Sequence, residues 1–414
     1  MVFFAPLSVA DGSGDVSLNG LLSLRGAILA QAAQNKKVGG NHMQIRLLIA
    51  NPGDKFTYGH RDGGRPDVAQ EIIDRVDRDR IAAVTGITQS RPLSIQAINE
   101  LNARQIPIIA SSVVGSEMVD RQTRAARYFQ VSATDARVAQ VMAEFARHSP
   151  QLAAVTGPDP GDPTGRREAI LAYHDDDTVF SSDLESKLVP DLPEQVVYPV
   201  PYPEQTGGQD IQGIAETICH EVERSHGYVI YAGRSARMPD LLEAMKLKGG
   251  CVKKDGRPLA IFAESIPMKY LDDPGSFAQD YPHFSLYYTA FAPSTPAHPS
   301  ENGITDSDEA GAYDALGVTS QAIDGAYSLN NPNQLFPPNA VYAFIHDKGI
   351  NDYQGVTGII NLHDQVAFPP DKAVYVMKIG GAAPYLECGL LPDKKPPSTW
   401  GVPHRKFPCP PPDS

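Results

Sequence analysis

A chain of 414 residues, with 36 Lys plus Arg against 49 Asp plus Glu and a formal net charge of −13, is too long for one ordinary core and long enough for two α/β lobes. It holds no lysine or arginine block, which argues against nucleic acid as a partner. No apolar run approaches the ~18 residues of a membrane span, so no spanning helix is expected; the chain opens on a strand-like Val2-Phe3-Phe4-Ala5 instead of a basic and apolar leader, so either a leader is absent from this sequence or the protein is not exported.

Residues 2–9 predict the first strand and residues 10–15 the loop after it. A helix follows over 18–36, with Leu21, Leu22, Leu24, Ile28 and Leu29 as its expected buried side. Gly12 and Gly14 suggest a dinucleotide loop, but Ser17 stands where the third glycine of GxGxxG belongs. The second strand, 43–50, ends in Asn51-Pro52 instead of an acidic ribose ligand, so NAD is not expected and no cofactor is assigned. A helix over 66–78 leads into the stretch on which the rest is organised, residues 81–118.

The strand 81–86 there has no polar alternation, as befits a parallel strand covered on both faces. It breaks at Gly86-Ile87-Thr88-Gln89-Ser90. Ser90 stands at the expected N-cap of a helix over 92–105, with Pro92 in its first turn. Leu93, Ile95, Ile98 and Leu101 give that helix a period near 3.6. A second strand, 106–110, ends in Ser111-Ser112. In an open parallel sheet both carboxyl ends share one edge, so Thr88, Gln89, Ser90, Ser111 and Ser112 should gather there as N–H and O–H donors for a small anion, above all a carboxylate. The competing reading is that they serve only as caps and turns.

An extended segment at 128–132 enters a helix over 134–148. After Pro150 the grammar repeats: a strand at 152–157, a Pro- and Gly-rich loop at 158–165, a helix at 166–173 and a polar interval at 175–194. A strand at 196–200, a helix at 210–224, a strand at 227–232, a loop at 233–237, a helix at 238–246 and a strand at 259–263 ending at Glu264-Ser265 complete it. Beyond lie a strand at 284–291, a solvated loop at 292–308, helices at 309–326 and 340–348, strands at 358–362 and 373–379, and an irregular proline-rich tail from 391.

Three chemical motifs fail on spacing. His220-Glu221 is followed by His226, six positions on from His220 instead of four, so the imidazoles face different ways and HExxH zinc chemistry is not expected. His174-Asp175-Asp176-Asp177 reads as a polar turn, with cation binding as its alternative. Gly233-Arg234-Ser235-Ala236-Arg237 lies between strand and helix like a nucleophile elbow, yet Arg237 would crowd that turn, and no catalytic residue is assigned. The four cysteines, Cys219, Cys251, Cys388 and Cys409, permit three pairings and none has CxxC spacing. A Cys388–Cys409 clip would suit an extracellular protein, and buried thiols would suit the alternative.

The order of these pieces, and above all Val84-Thr85-Gly86-Ile87-Thr88-Gln89-Ser90 and Gln105-Ile106-Pro107-Ile108-Ile109-Ala110-Ser111, resembles the type I periplasmic solute-binding proteins, in particular the leucine/isoleucine/valine-binding branch that serves ABC importers. The resemblance implies an α/β fold of two doubly wound, Rossmann-like lobes joined by three crossovers, expected near 131–134, 263–266 and 354–357. Lobe 1 would take 1–132 and 266–354, lobe 2 would take 133–265 and 355–390, and 391–414 would be tail. It also implies a small-molecule ligand such as an amino acid in an interlobe cleft, an ABC permease as partner and an extracytoplasmic location.

By the same resemblance the family's carboxylate-binding serine falls on Ser90, the small residues after the fourth strand on Ser112 and Val113, and the ammonium-binding acid on Glu264. Gln89 and Ser111 join the ligand set as neighbours on that edge. The aromatic cap of the second lobe is replaced by Pro163-Thr164, placing Thr164 at the site. Arg234 stands where an aromatic residue is common and would favour a solute with an extra carboxylate. A ligand-sensing domain of the same fold is the alternative function, and an enzyme on a doubly wound fold the more remote one.

Overall fold

The computed structural model describes residues 1–8, 17–37, 42–57, 67–120, 125–149, 152, 168–192, 196–225, 227–249, 251, 257–293, 299–300, 302–329, 337–363, 366–380 and 384–390. In chain order the elements are β1 (Val2–Phe4), α1 (Leu18–Asn35), β2 (Leu48–Ala50), α2 (Val68–Asp74), α3 (Val76–Asp79), β3 (Val84–Thr85), α4 (Pro92–Ala103), β4 (Ile108–Ala110), β5 (Tyr128–Gln130) and α5 (Asp135–His148). They continue with β6 (Glu168–His174), α6 (Ser181–Asp191), β7 (Val196–Tyr202), α7 (Gly208–Ser225), β8 (Tyr228–Tyr231), α8 (Met238–Leu247), β9 (Leu259–Ala263), α9 (Met268–Asp272), α10 (Pro274–Asp280) and β10 (Phe284–Ala290). The last are α11 (Ser307–Leu329), α12 (Pro338–Asp347), β11 (Ile350–Gly355), β12 (Gly358–Leu362), β13 (Val374–Lys378) and β14 (Tyr385–Leu390).

The chain divides into two compact units. Unit 1 takes Met1–Thr134 and Pro299–Lys372, and unit 2 takes Asp135–His298 and Ala373–Lys394. The chain therefore changes unit after Thr134, at the edge of the expected hinge, and again after His298 and after Lys372. The last two positions differ from the expected 263–266 and 354–357. Residues 284–290 stay with unit 2 because β10 continues its sheet, parallel to β9 and antiparallel to β13. Residues 358–362 stay with unit 1 because β12 folds back on β11 as an antiparallel hairpin, a pairing the sequence reading did not anticipate.

Among the described residues, unit 1 holds a five-stranded parallel sheet in the order β2-β1-β3-β4-β5. Its strands are short, and Phe3, Phe4, Ile108 and Ile109 on them are fully buried. Helix α1 does not bury its leucines. Gly20, Ser23, Gly26, Ala27 and Ala30 form its inner face, while Leu21 is 41% and Ile28 47% exposed. The cause is close packing against α11: a Cβ on Gly26 would lie 2.0 Å from the Glu309 carbonyl oxygen. Only small residues let the two backbones approach so closely.

Unit 2 holds a seven-stranded sheet in the order β14-β13-β10-β9-β8-β6-β7, parallel from β10 to β7 and antiparallel at β13 and β14. Here the reading of 166–173 as a helix is corrected: Glu168–His174 is a strand, paired on both sides, by β7 and β8. Helix α6 occupies most of what read as a polar interval, turning Leu184 and Leu188 inward. The expected loop 158–165 and its Thr164 lie outside the described residues, as do residues 10–15 and 391–414.

Cys219 on α7 is joined to Cys251 after α8 by a disulfide. The alternative clip involves Cys409 and so lies outside the described residues. No helix among the described residues is long and apolar enough to cross a membrane.

Candidate functional site

In unit 1 the tips of β3 and β4 lie side by side, as expected. Gly86 turns the chain after β3 at φ +95°, and a Cβ there would run into the Phe3 ring at 2.5 Å. The N-cap of α4 is Arg91, not Ser90, with Pro92 opening the helix. Ser90 is 2% exposed. Its Oγ accepts the backbone N–H groups of Val114 (3.1 Å) and Gly115 (3.0 Å), which ties the β3 loop to the β4 loop.

Ser111 does the converse, its N–H (3.2 Å) and Oγ (3.4 Å) both reaching the Ile87 carbonyl. The Val113 carbonyl accepts the Ser132 hydroxyl. Two of the expected ligand atoms have no hydrogen-bond partner among the described residues, although both are buried: Gln89 Oε1 and Ser112 Oγ. Gly311 of α11 lets this loop sit close, since a Cβ there would meet the Ser111 carbonyl at 2.9 Å and Ser112 Oγ at 3.1 Å. Gln89, Ser90, Ser111, Ser112 and Val113 thus share one sheet edge, with Ser90 and Ser111 joining the loops that carry the other three.

In unit 2 the corresponding edge is formed by the ends of β6, β8 and β9. Ser181 opens α6 and fastens β6 to β8: its Oγ donates to the Ala232 carbonyl (2.6 Å) and accepts the His174 N–H (2.7 Å). Gly233 follows, where a Cβ would collide with the Tyr231 ring (2.7 Å) and His174 Nε2 (2.8 Å). Arg234 comes next. Its guanidinium lies 4.3 Å above the Phe180 ring and is held in a two-point pair by Asp177, Nε to Oδ2 at 2.6 Å and Nη2 to Oδ1 at 3.0 Å. The positive charge expected to favour an extra ligand carboxylate is therefore already matched within unit 2.

Around that pair stand further carboxyl groups. Glu264, directly after β9, is 8% exposed, and its carbonyl accepts the Thr289 hydroxyl at 2.6 Å. Burial raises its carboxyl pKa, opposed by a Ser265 hydrogen bond and by Arg234. Asp135, the first residue of α5, is fully buried, and neither of its carboxyl oxygens has a donor among the described residues. Burial holds it well above the usual carboxylate range, reinforced by the charges of Asp183 and Glu264 and opposed by that of Arg234. Like charges set close together make ionisation of a buried carboxyl costlier.

His174 is fully buried with its ring edge-on to Tyr202, centroids 5.0 Å apart. Its Nδ1 accepts the Arg234 N–H at 3.3 Å. Burial depresses its pKa from 6.5 to about 4, against the charges of Glu204, Asp177 and Asp176 and together with Arg234. The unfolded chain thus takes up a proton between those values that the native chain refuses. Stability contributed by the neutral imidazole is complete above pH 6.5 and is expected to fall by roughly 3 kcal/mol as the pH drops toward 4. The raised Asp135 and Glu264 act in the opposite sense, so the check is the difference between the parent and His174→Gln in urea unfolding from pH 7 to 4. The variant should lose this component of the slope.

The sequence reading missed Asp135, Asp177, Phe180 and Asp183 as members of this edge. The signal was present in Asp175-Asp176-Asp177, which becomes the tip of a strand once 168–174 is known to be β6. His220 and Glu221 pair with each other (3.2 Å) on α7, and Glu221, itself buried, also binds Arg224 (2.7 Å). No group of three or more His, Cys, Asp or Glu among the described residues is arranged for a metal ion. A cavity of about 490 Å³ on unit 1 lies between α1, α11 and α12. Its acidic member Asp324 is already bound by Gln34, His42 and the Met43 N–H.

No protein-family model matches the chain, and no curated protein matches it in sequence. Solved structures do match its fold. The leucine binding protein LivK of Thermotoga maritima is 16% identical, with 95% of this chain and 98% of that one covered at a TM-score of 0.65. LivJ of Streptococcus pneumoniae, a branched-chain amino acid transporter substrate binding protein in complex with isoleucine, is 14% identical, with 93% and 98% covered at 0.63. A solute binding protein of an ABC transporter from Rhodopseudomonas palustris, in complex with 3,4-dihydroxybenzoic acid, is 12% identical, with 95% and 98% covered at 0.65. The expected resemblance thus holds over nearly the whole chain, and the protein has the two-lobed α/β fold of the type I periplasmic binding proteins, the fold of ABC-transporter substrate-binding proteins.

Proposed function

We propose that this chain is a non-catalytic solute-binding protein that captures a small polar solute, an amino acid or a derivative of one, for an ABC importer. The observation that carries the reading is Glu264, a nearly buried carboxyl at a strand tip beside an arginine whose charge Asp177 already balances. A carboxyl so placed suits a protonated amine. In unit 1, Gln89 and Ser112 hold buried polar atoms on an edge rich in N–H and O–H groups, a donor set that suits a carboxylate. The neighbours of like fold bind leucine, isoleucine or an aromatic acid, and work with transporters. The Cys219–Cys251 disulfide supports an extracytoplasmic location, where such bonds persist.

The test is a thermal-shift screen over amino acids, dicarboxylates and small amides, with the shift read by calorimetry. A solute present at ~100 times its dissociation constant adds about 2.7 kcal/mol to native stability. Glu264→Ala is expected to abolish the shift given by any ammonium-bearing solute. A shift retained in that variant refutes the role of Glu264.

A further inference from the structure

We infer that the cavity on unit 1 between α1, α11 and α12 is a second small-molecule site, which takes an aromatic ring carrying a carboxylate. None of Gln89, Ser90, Ser112 or Glu264 lines it. Its volume of about 490 Å³ falls in the range of sites that enclose a small organic ligand, roughly 300–1,000 Å³. The packing explains why the space exists. Helices α1 and α11 meet backbone to backbone at Gly26 and Glu309, and beyond that contact the α1 side chains Ala30 and Ala33 are too short to fill the space beside α11. On the facing wall two glycines of α11 let aromatic side chains lie against its backbone. A Cβ on Gly317 would collide with the Tyr353 hydroxyl oxygen, and one on Gly325 with the Phe344 ring. Tyr313, one turn before Gly317, adds a third ring to the lining. A flat apolar ligand among these rings gains edge-to-face contacts beyond the area it buries.

The polar groups of the lining decide the charge of the ligand. Asp324 is taken up by Gln34, His42 and the Met43 N–H. Lys37 is not matched in the same way. Its ammonium group donates to the Gln34 amide oxygen at 2.7 Å, a neutral acceptor, and no carboxylate pairs with it among the described residues. Two of its N–H groups remain for a ligand carboxylate, a charge-assisted hydrogen bond of the stronger kind. The Tyr313 and Tyr353 hydroxyls and the Gln321 amide also make no hydrogen bond among the described residues. They are therefore available to polar substituents on the ring.

Fluorine NMR titration of the full chain tests this, with 4-fluorophenylacetate as the probe, 4-fluorophenethylamine as its cationic control and fluoroacetate as the control without a ring. The aromatic acid should bind at least about tenfold more tightly than either control. Lys37→Gln should weaken it by about tenfold to a hundredfold, the range of one charged hydrogen bond. Ala33→Trp should abolish binding by filling the space. Both positions are exposed on the native surface, so neither replacement threatens the fold. Glu264→Ala should leave binding of the acid unchanged. If Glu264→Ala loses the acid while Lys37→Gln and Ala33→Trp bind it as the parent does, the probe occupies the solute site of unit 2 and the inference is overturned. The amine binding as tightly as the acid would overturn it as well, because Lys37 would then not set the charge. No binding of the acid at millimolar concentration would reduce the cavity to a water-filled gap between helices. Solute capture is read separately, by the thermal shift that depends on Glu264, so either reading can fail while the other stands.

Discussion

Asp314→Ala is expected to destabilise unit 1 by about 3–5 kcal/mol, the cost of leaving a buried opposite charge without its partner. Asp314 lies on α11 and is fully buried. One carboxyl oxygen accepts the Val356 N–H at 2.8 Å, and the other accepts the Thr357 N–H at 2.8 Å and its hydroxyl at 2.5 Å. Lys372, 1% exposed, reaches the same Thr357 hydroxyl. The four groups pin the β11–β12 turn to α11 directly before the chain leaves unit 1. A Cβ on Gly355 would lie 2.4 Å from Asp314 Oδ2, so the carboxylate fills the space that this glycine leaves.

The pH dependence of this network follows from Lys372. Burial lowers its pKa from 10.5 to about 8, and the charge of Asp314 works against that fall. Between those values the unfolded chain binds a proton that the native chain has given up, so native stability rises with pH across that window. Without Asp314 the ammonium group loses the charge that held it up, and the window extends to lower pH. Urea unfolding of parent and variant at pH 7 and pH 10 checks both points. A deficit that is large at pH 7 and smaller at pH 10 is expected, because neutral Lys372 no longer needs a counter-charge. A variant as stable as the parent at pH 7 would show that the buried pair contributes nothing net.

The second large effect concerns Arg234. Replacing it with methionine should destabilise unit 2 by about 3 kcal/mol or more, because the Asp177 side chain is only 2% exposed and would lose a two-point charged partner. The companion change Asp177→Asn removes the buried negative charge, so the double variant should recover much of the loss. The coupling between the two positions is read by a double-mutant cycle in urea. If Arg234→Met left stability intact and instead weakened the binding of dicarboxylates, the guanidinium would belong to the solute, not to Asp177.

How much of this was legible in the sequence differed between the units for physical reasons. Residues 259–263 and 238–246 read correctly because a both-face-buried strand ending at Glu264, and a helix opening with Pro239 in its first turn, carry their own punctuation. Residues 168–174 misread because Glu-Ala-Ile-Leu-Ala-Tyr-His is an apolar run with neither a two-residue nor a 3.6-residue period, so periodicity alone does not separate strand from helix there. That one error hid Asp177, Phe180 and Asp183, since a loop is recognised as a strand tip only after the strand is. Asp135 was read as part of a helix start. The carboxyls that act on it, Asp183 and Glu264, are 48 and 129 positions away, and no local pattern reports them. In unit 1 the Ser90 and Ser111 edge was placed correctly, but which hydroxyls would be taken up in joining the two loops depended on the exact path of residues 111–115.

The glycine-lined contact of α1 has an outward counterpart. With its small residues turned toward α11, the helix presents Leu18 (55% exposed), Leu21 (41%) and Ile28 (47%) along one side at spacings of three and seven, an aliphatic strip on the native surface. Dyes that fluoresce on apolar surfaces will find a docking place there before any melting begins, and their baseline will report the folded molecule as though it were partly open.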